Sequence, residues 1–382
     1  MGTEESKKIW EENAQFWDNA MGDESNEFHR EVVRPKVESG DRFRYISYYE
    51  IYEADTSSYY YTGSVAYSFD GEAAITNAID YVTTEDLPLL YILTGHGEAE
   101  LSDAFSSALE KQNTETAELT LLTVDEIPED ADGILIYAPK RDISEEEADI
   151  LNAYISAGGR LLVISGPQEE ELTQLHSLLE VYGISFAEGI VVEGDRGYYA
   201  FNAPYVLLPE LGTGEITEEL SANNRYVIVP VAQGMNVDTA YGSADVTSLL
   251  DTSDASYSKA SGYAMDTYEK EAGDAAGPFS VAVLVKDGEA DGAVIWISSD
   301  NVMDDLYNSY SSGANTDFVM NAVSLLVGRG DSISIRSKSL DYNYLTISTA
   351  QSAFIKVCLI GIIPLLVLLY GLEDVIRRRR QA

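Results

Sequence analysis

The sequence is poor in the residues on which most catalysis rests. One cysteine, Cys358, and three histidines, His29, His96 and His176, are spread over 382 residues. A single cysteine excludes an intramolecular disulfide and a cysteine-rich zinc site. The lack of disulfides fits a cytoplasm and fits equally the exterior of a bacterium that forms none. Basic residues are scarce as well: 24 Lys and Arg against 65 Asp and Glu give a formal charge of −41. So negative a surface repels phosphate backbones, which excludes nucleic acid as a partner, and it disfavours direct docking onto anionic lipid. No Gly-x-Ser-x-Gly elbow, P-loop or EF-hand loop occurs, which removes the usual sequence marks of a serine hydrolase, a nucleotide site or a calcium site.

What remains is an ordinary globular composition, 45% apolar and 23% charged, long enough for two or three domains. Residues 1–40 are polar and weakly patterned and read as a poorly ordered segment. Residues 41–70 are Tyr- and Ser-rich, with Tyr45, Tyr48, Tyr49 and Tyr52 followed by Tyr59-Tyr60-Tyr61-Thr62-Gly63, and predict a β-hairpin. From Asp70 a helical period appears and ends before Pro88. Apolar strands at Leu89–Leu93, Leu119–Val124, Gly133–Ala138 and Arg160–Ser165 then alternate with helices at Leu101–Lys111, Ser144–Ala157 and Gln168–Tyr182. Ser144 with Glu147 forms a capping box. This alternation predicts an α/β domain over 41–338, a parallel sheet with helices on both faces. A β-rich segment follows, in which Thr252–Glu271 reads as a long polar loop and Val281–Val285 with Ala293–Ser298 as a hairpin. His176, in the middle of a helix, reads as a surface residue.

Residues 353–372 are apolar apart from Lys356 and carry Pro364 internally. Twenty residues span about 30 Å of hydrocarbon, so the stretch predicts one transmembrane helix, reached through a juxtamembrane linker at 339–352. Arg377, Arg378, Arg379 and Arg380 in the tail 373–382 predict a cytoplasmic C-terminus and an extracytoplasmic bulk. Residues 1–30 hold no apolar run or cleavage site to direct such a topology, so the chain reads as truncated at its N-terminus.

The strongest site candidate is the turn Thr94-Gly95-His96-Gly97-Glu98, between a strand and a helix. Doubly wound folds bind ligands at such turns, whose amides hold anions. His96 is a candidate acid or base and Glu98 its orienting partner. The plainer alternative is a turn whose glycines supply positive φ. No metal or cofactor signature is present.

Several segments taken together resemble a known family: Phe69-Asp70-Gly71-Glu72 leading to Ala78-Ile79-Asp80-Tyr81-Val82, Leu93 through Glu98, Ala157-Gly158-Gly159-Arg160-Leu161-Leu162, Asn315 through Val323, and Ile335-Arg336-Ser337-Lys338. Their order, closed by the apolar span and its arginines, resembles the GldG family of ABC-transporter auxiliary proteins. The resemblance covers about residues 41–380. It implies a flavodoxin-like or amidotransferase-like core and a non-enzymatic, substrate-binding-like accessory subunit working beside an ABC permease and its ATPase. It transfers no catalytic residue. The competing readings are a cell-surface hydrolase using His96 and Glu98, and a surface-polymer or glycan-binding module using the Tyr-rich hairpin.

Overall fold

The computed structural model describes residues 35–55, 66–238, 244–287, 291–328, 338–339 and 364. Its centre follows from strands that are apolar at every position. Gly133–Tyr137 and Arg160–Ile164 bury both of their faces, which is possible only when side chains alternate between two covered sides of a sheet. Ile134, Ile136, Leu161, Val163 and Trp296 point into one core; Leu135, Tyr137, Leu162, Ile164 and Ile295 point into the other.

The sheet has ten strands: β1 (Leu89–Leu93), β2 (Glu115–Leu119), β3 (Gly133–Tyr137), β4 (Arg160–Ile164), β5 (Ile184–Phe186), β6 (Glu210–Leu211), β7 (Met235–Val237), β8 (Asp245–Asp251), β9 (Ser280–Asp287) and β10 (Gly292–Ile297). The spatial order is β6-β8-β9-β10-β4-β3-β1-β2, with β7 pairing both β9 and β5. Five strands, β2-β1-β3-β4-β10, are mutually parallel. The remainder run antiparallel. The helices are α1 (Gly71–Thr83), α2 (Asp103–Lys111), α3 (Glu145–Ser156), α4 (Thr173–Glu180) and, after a short helix at Asp305–Tyr310, α5 (Ala314–Leu326). Phe105 and Leu109 of α2 and Phe318 and Val323 of α5 cover one face; Leu151 and Ile155 of α3 and Leu175 and Leu179 of α4 cover the other.

Two expectations are corrected. The sheet is mixed rather than parallel. The link from β9 to β10 is only residues 288–291, and parallel neighbours need a crossover of about a dozen residues, so β9 must turn back on β10 and expose an antiparallel edge to β8 and β7. The expected transmembrane helix, and the single-pass membrane localisation built on it, are also set aside. No helix among the described residues is long and apolar enough to cross a membrane. The longest, α1 and α5, have 13 residues each, about 20 Å at 1.5 Å per residue against a hydrocarbon core of about 30 Å. Within 353–372 only Pro364 is described, in helical conformation; Lys356 and Arg377–Arg380 lie outside the described residues.

The β-rich segment is more ordered than its polarity suggests. Tyr257–Lys259, inside the stretch expected to be a loop, is a strand pairing antiparallel with Ile190–Val192, and Ala275–Ala276 adds to its other side. Near the N-terminus, Lys36–Ser39 and Arg42–Tyr45 form a two-stranded hairpin. Tyr45 lies in its second strand, Tyr48 and Tyr49 open a helical turn at Tyr48–Ile51, and Tyr59–Gly63 lie outside the described residues. Contacts divide the chain into two units. The first, residues 1–53 and 70–337, contains the large sheet; the second, residues 54–69 and 338–382, contains the antiparallel pair Ala66–Phe69 with Lys338–Ser339.

Candidate functional site

The parallel strands place the Thr94–Glu98 turn at a defined point. After β1 the chain moves to β2 on one side and then returns to β3 on the other. Such a reversal opens a crevice at the carboxyl ends of the two strands, where doubly wound sheets bind ligands. The turn following β1 and the loop following β3 meet there. The amides of Lys140 and Arg141 both donate to the His96 carbonyl at 3.0 Å, and the Arg141 guanidinium donates to the Gly95 carbonyl at 2.8 Å. Thr94 ties the turn to β2, its Oγ1 lying 3.0 Å from Thr120 Oγ1. Gly95 and Gly97 adopt φ of +128° and +78°, a region that disfavours any side chain.

The turn folds inward and is filled by its own groups. His96 is buried, with Nδ1 3.1 Å from Glu98 Oε1 and Nε2 3.1 Å from Glu147 Oε2. Glu98 also accepts the His96 amide at 2.7 Å. That amide of the turn is thus given to a carboxylate of the turn itself. Glu147 is the third residue of α3 and closes its capping box: Ser144 Oγ accepts the Glu147 amide, and Glu147 Oε2 accepts the Ser144 amide at 2.9 Å. Its other oxygen, Oε1, is buried without a hydrogen-bond partner. A carboxyl oxygen therefore lies against each ring nitrogen, and both nitrogens face internal partners rather than the open crevice. α2 begins only at Asp103, with Ser102 accepting the Phe105 amide as its cap, four residues beyond the turn.

A second carboxylate braces the same end of the sheet. Asp300 accepts from the Gly166 amide at 2.5 Å, from Gln168 Nε2 at 2.8 Å and from Lys140 Nζ at 2.8 Å. It thereby joins the loops that leave β3, β4 and β10.

Sequence reasoning named Thr94 to Glu98 and the structure brings them together, but it read Glu147 only as a cap and overlooked Lys140 and Asp300. No local signal marks those two, because each acts across loops distant in sequence. His176 had such a signal. It stands four residues after Leu172 and three before Leu179, on the buried face of α4. It is buried, stacked on Phe186 at 3.8 Å and edge-on to Trp296. Burial pushes its imidazole down to about 4, against a smaller opposing pull from Asp142. Elsewhere, a cleft of 720 Å³ lies in the β-rich segment, lined by Asp195, Glu210, Asp251 and Asp254 together with Tyr198 and Phe279. None of the Thr94–Glu98 residues lines it.

Among solved structures, the chain is similar to the mmIFT52 N-terminal domain, at 16% identity and a TM-score of 0.47 over 65% of this chain and 99% of that one. It is similar to the cytoplasmic protein STM1381 from Salmonella typhimurium LT2, at 12% identity and a TM-score of 0.31 over 61% and 99%. It is also similar to the exo-beta-1,4-mannosidase Op5Man5 from Opitutaceae bacterium strain TAV5, at 10% identity and a TM-score of 0.28 over 70% and 40%. Scores this low bear on no activity. No curated protein matches the chain. Residues 88–322 match the family model described as an ABC-type uncharacterized transport system.

Proposed function

The chain belongs to the ABC-type uncharacterized transport system family of auxiliary proteins, and from that premise we propose that it is a non-enzymatic accessory subunit of the GldG type, associating with an ABC permease and its ATPase. The observation that carries the non-catalytic half of this reading is the carboxylate clamp on His96. Both ring nitrogens are committed to Glu98 and Glu147 at 3.1 Å. A general base needs a free lone pair within reach of a substrate proton. The amide of the turn that would bind an oxyanion is given to Glu98. These contacts weigh against a hydrolase built on His96 and Glu98 and favour a crevice turned into a structural joint.

The test is association. A tagged full-length chain, expressed together with the permease and ATPase of its transporter and purified in mild detergent, is expected to bring both with it. Recovery of the chain alone, with both partners present in the extract, would overturn the reading.

A further inference from the structure

The surface formed by the loop at residues 199–208 and the short helix Asp305–Tyr310 is unusual for so acidic a protein. Phe201 is 51% exposed, Leu306 56%, Tyr226 50% and Tyr310 46%. They are contiguous. Phe201 packs on Tyr310 with ring centroids 4.6 Å apart, the Tyr226 hydroxyl donates to the Tyr310 carbonyl at 3.2 Å, and Leu306 lies one helical turn before Tyr310. The same loop carries Tyr205, whose ring packs on Tyr268.

This presentation is maintained against strain. Phe201 and Asn202 hold φ of +54° and +56°, where residues with side chains are uncommon and cost on the order of 1 kcal/mol or more. The loop is braced to keep them there: Arg196 donates to the Tyr199 carbonyl and to Asn202 Oδ1, and the Ala200 amide donates to the Val206 carbonyl. Phe201 covers one side of its ring on Tyr310 and leaves the other half of its surface to solvent.

The charge around it selects the occupant. Asp304 and Asp305 precede Leu306 and make no salt bridge among the described residues. The nearby cations are spent internally, Arg196 as above and Arg225 on Asp317 and the Ser312 carbonyl. A second copy, itself at −41, is repelled. We infer that this aromatic surface is the docking site for a partner-subunit segment made of apolar residues flanked by lysine or arginine. Tyr and Phe supply contact area at low entropic cost, as at the centres of protein interfaces, and acidic flanks steer a basic partner. The inference rests on the accessory-subunit reading above and names the surface through which it works.

The co-purification described above tests it with the full-length variants Phe201→Ser and Leu306→Asp, both at exposed positions and each checked for an unchanged melting curve. Recovery of the permease and ATPase is expected to fall on the order of tenfold for each, and Asp305→Lys is expected to reduce it further in low salt than in high salt. If the wild-type chain recovers both partners and the variants do so equally, the surface assignment fails while the accessory reading stands. If the wild-type chain recovers neither, both fall. A wild-type dimer on size-exclusion that Phe201→Ser disperses, or binding of a soluble oligosaccharide abolished by Phe201→Ser, would assign the surface to another occupant and overturn the inference. Should one variant fail to fold, the other decides.

Discussion

His96 and His176 are both buried, yet they are held by different neighbours. His96 lies between two buried carboxyl groups, Glu98 and Glu147, each 3.1 Å from one ring nitrogen. Removing the ring leaves two buried carboxyl groups without that hydrogen-bond partner, at about 1–3 kcal/mol for each group left unsatisfied, more than the roughly 1 kcal/mol of a typical substitution. His96→Ala is therefore expected to lower the urea midpoint strongly, and at matched abundance to leave transport intact in a complemented deletion strain. Loss of transport by a folded, abundant variant would return the turn to ligand binding or catalysis. His176 is buried as the neutral ring. Its folded-state value, about 4, lies below the unfolded value of 6.5, so the unfolded chain binds the extra proton between those limits. Stability from this residue is full above pH 6.5 and is lost as pH falls toward 4, by about 3 kcal/mol at most. His176→Phe is expected to flatten the pH dependence of thermal unfolding across that window; an unchanged slope would show that the ring is accessible to protons in the folded chain.

At the scale of elements, α3 and the β-rich segment differ in how much of their structure is local. The capping box of α3 is written in four consecutive residues, Ser144 to Glu147, and forms as the spacing predicts. The strand Tyr257–Lys259 is not written locally at all. Its polar sequence reads as loop, and it becomes a strand because Ile190–Val192 offers a pairing edge and because Lys259, fully buried, finds the Glu269 carbonyl at 2.9 Å, Glu271 at 2.5 Å and Asp274 at 3.0 Å. The ammonium thus fastens residues 269–274 over the strand. Gly189, at φ +88°, makes room for this, since a Cβ there would meet the Lys259 carbonyl oxygen at 1.8 Å. Gly189→Ala is expected to cost more than about 1 kcal/mol and to raise hydrogen exchange across residues 257–274. Lys259→Met is expected to raise exchange in 269–274 alone. Uniform protection in both variants would mean that the segment is held by something else.

For the molecule as a whole, charge is the dominant uneven quantity. At −41 the folded chain repels itself, and the described ion pairs, such as Lys140 with Asp300 and Arg225 with Asp317, offset only a small part. Salt shortens the Debye length from about 10 Å at 0.1 M to about 3 Å at 1 M. Screening is expected to relieve repulsion more than it weakens these pairs. Tm should rise by about 1–2 °C between those salt concentrations, the shift that ~1 kcal/mol gives a chain of 382 residues. A falling Tm would show that specific pairs outweigh the general repulsion.

What the sequence determined by itself was whatever depends on near neighbours. The helix periods and the capping of α3 lie within a turn or two of chain, and the apolar runs of β1, β3 and β4 announce strands covered on both faces. The glycines of the Thr94–Glu98 turn mark where the backbone must take positive φ. The tertiary structure alone decided the rest, because it depends on residues far apart. The hairpin of β9 and β10 is written locally, but that its β10 arm pairs parallel with β4, and so makes the sheet mixed, was not. Packing against Phe186 and Trp296 drew His176 inside. The loops after β3, β4 and β10 converged on Asp300. The clamp on His96 exists only because α3 carries Glu147 to the switch point between β1 and β3, 51 residues along the chain, where its carboxylate lies 3.1 Å from Nε2.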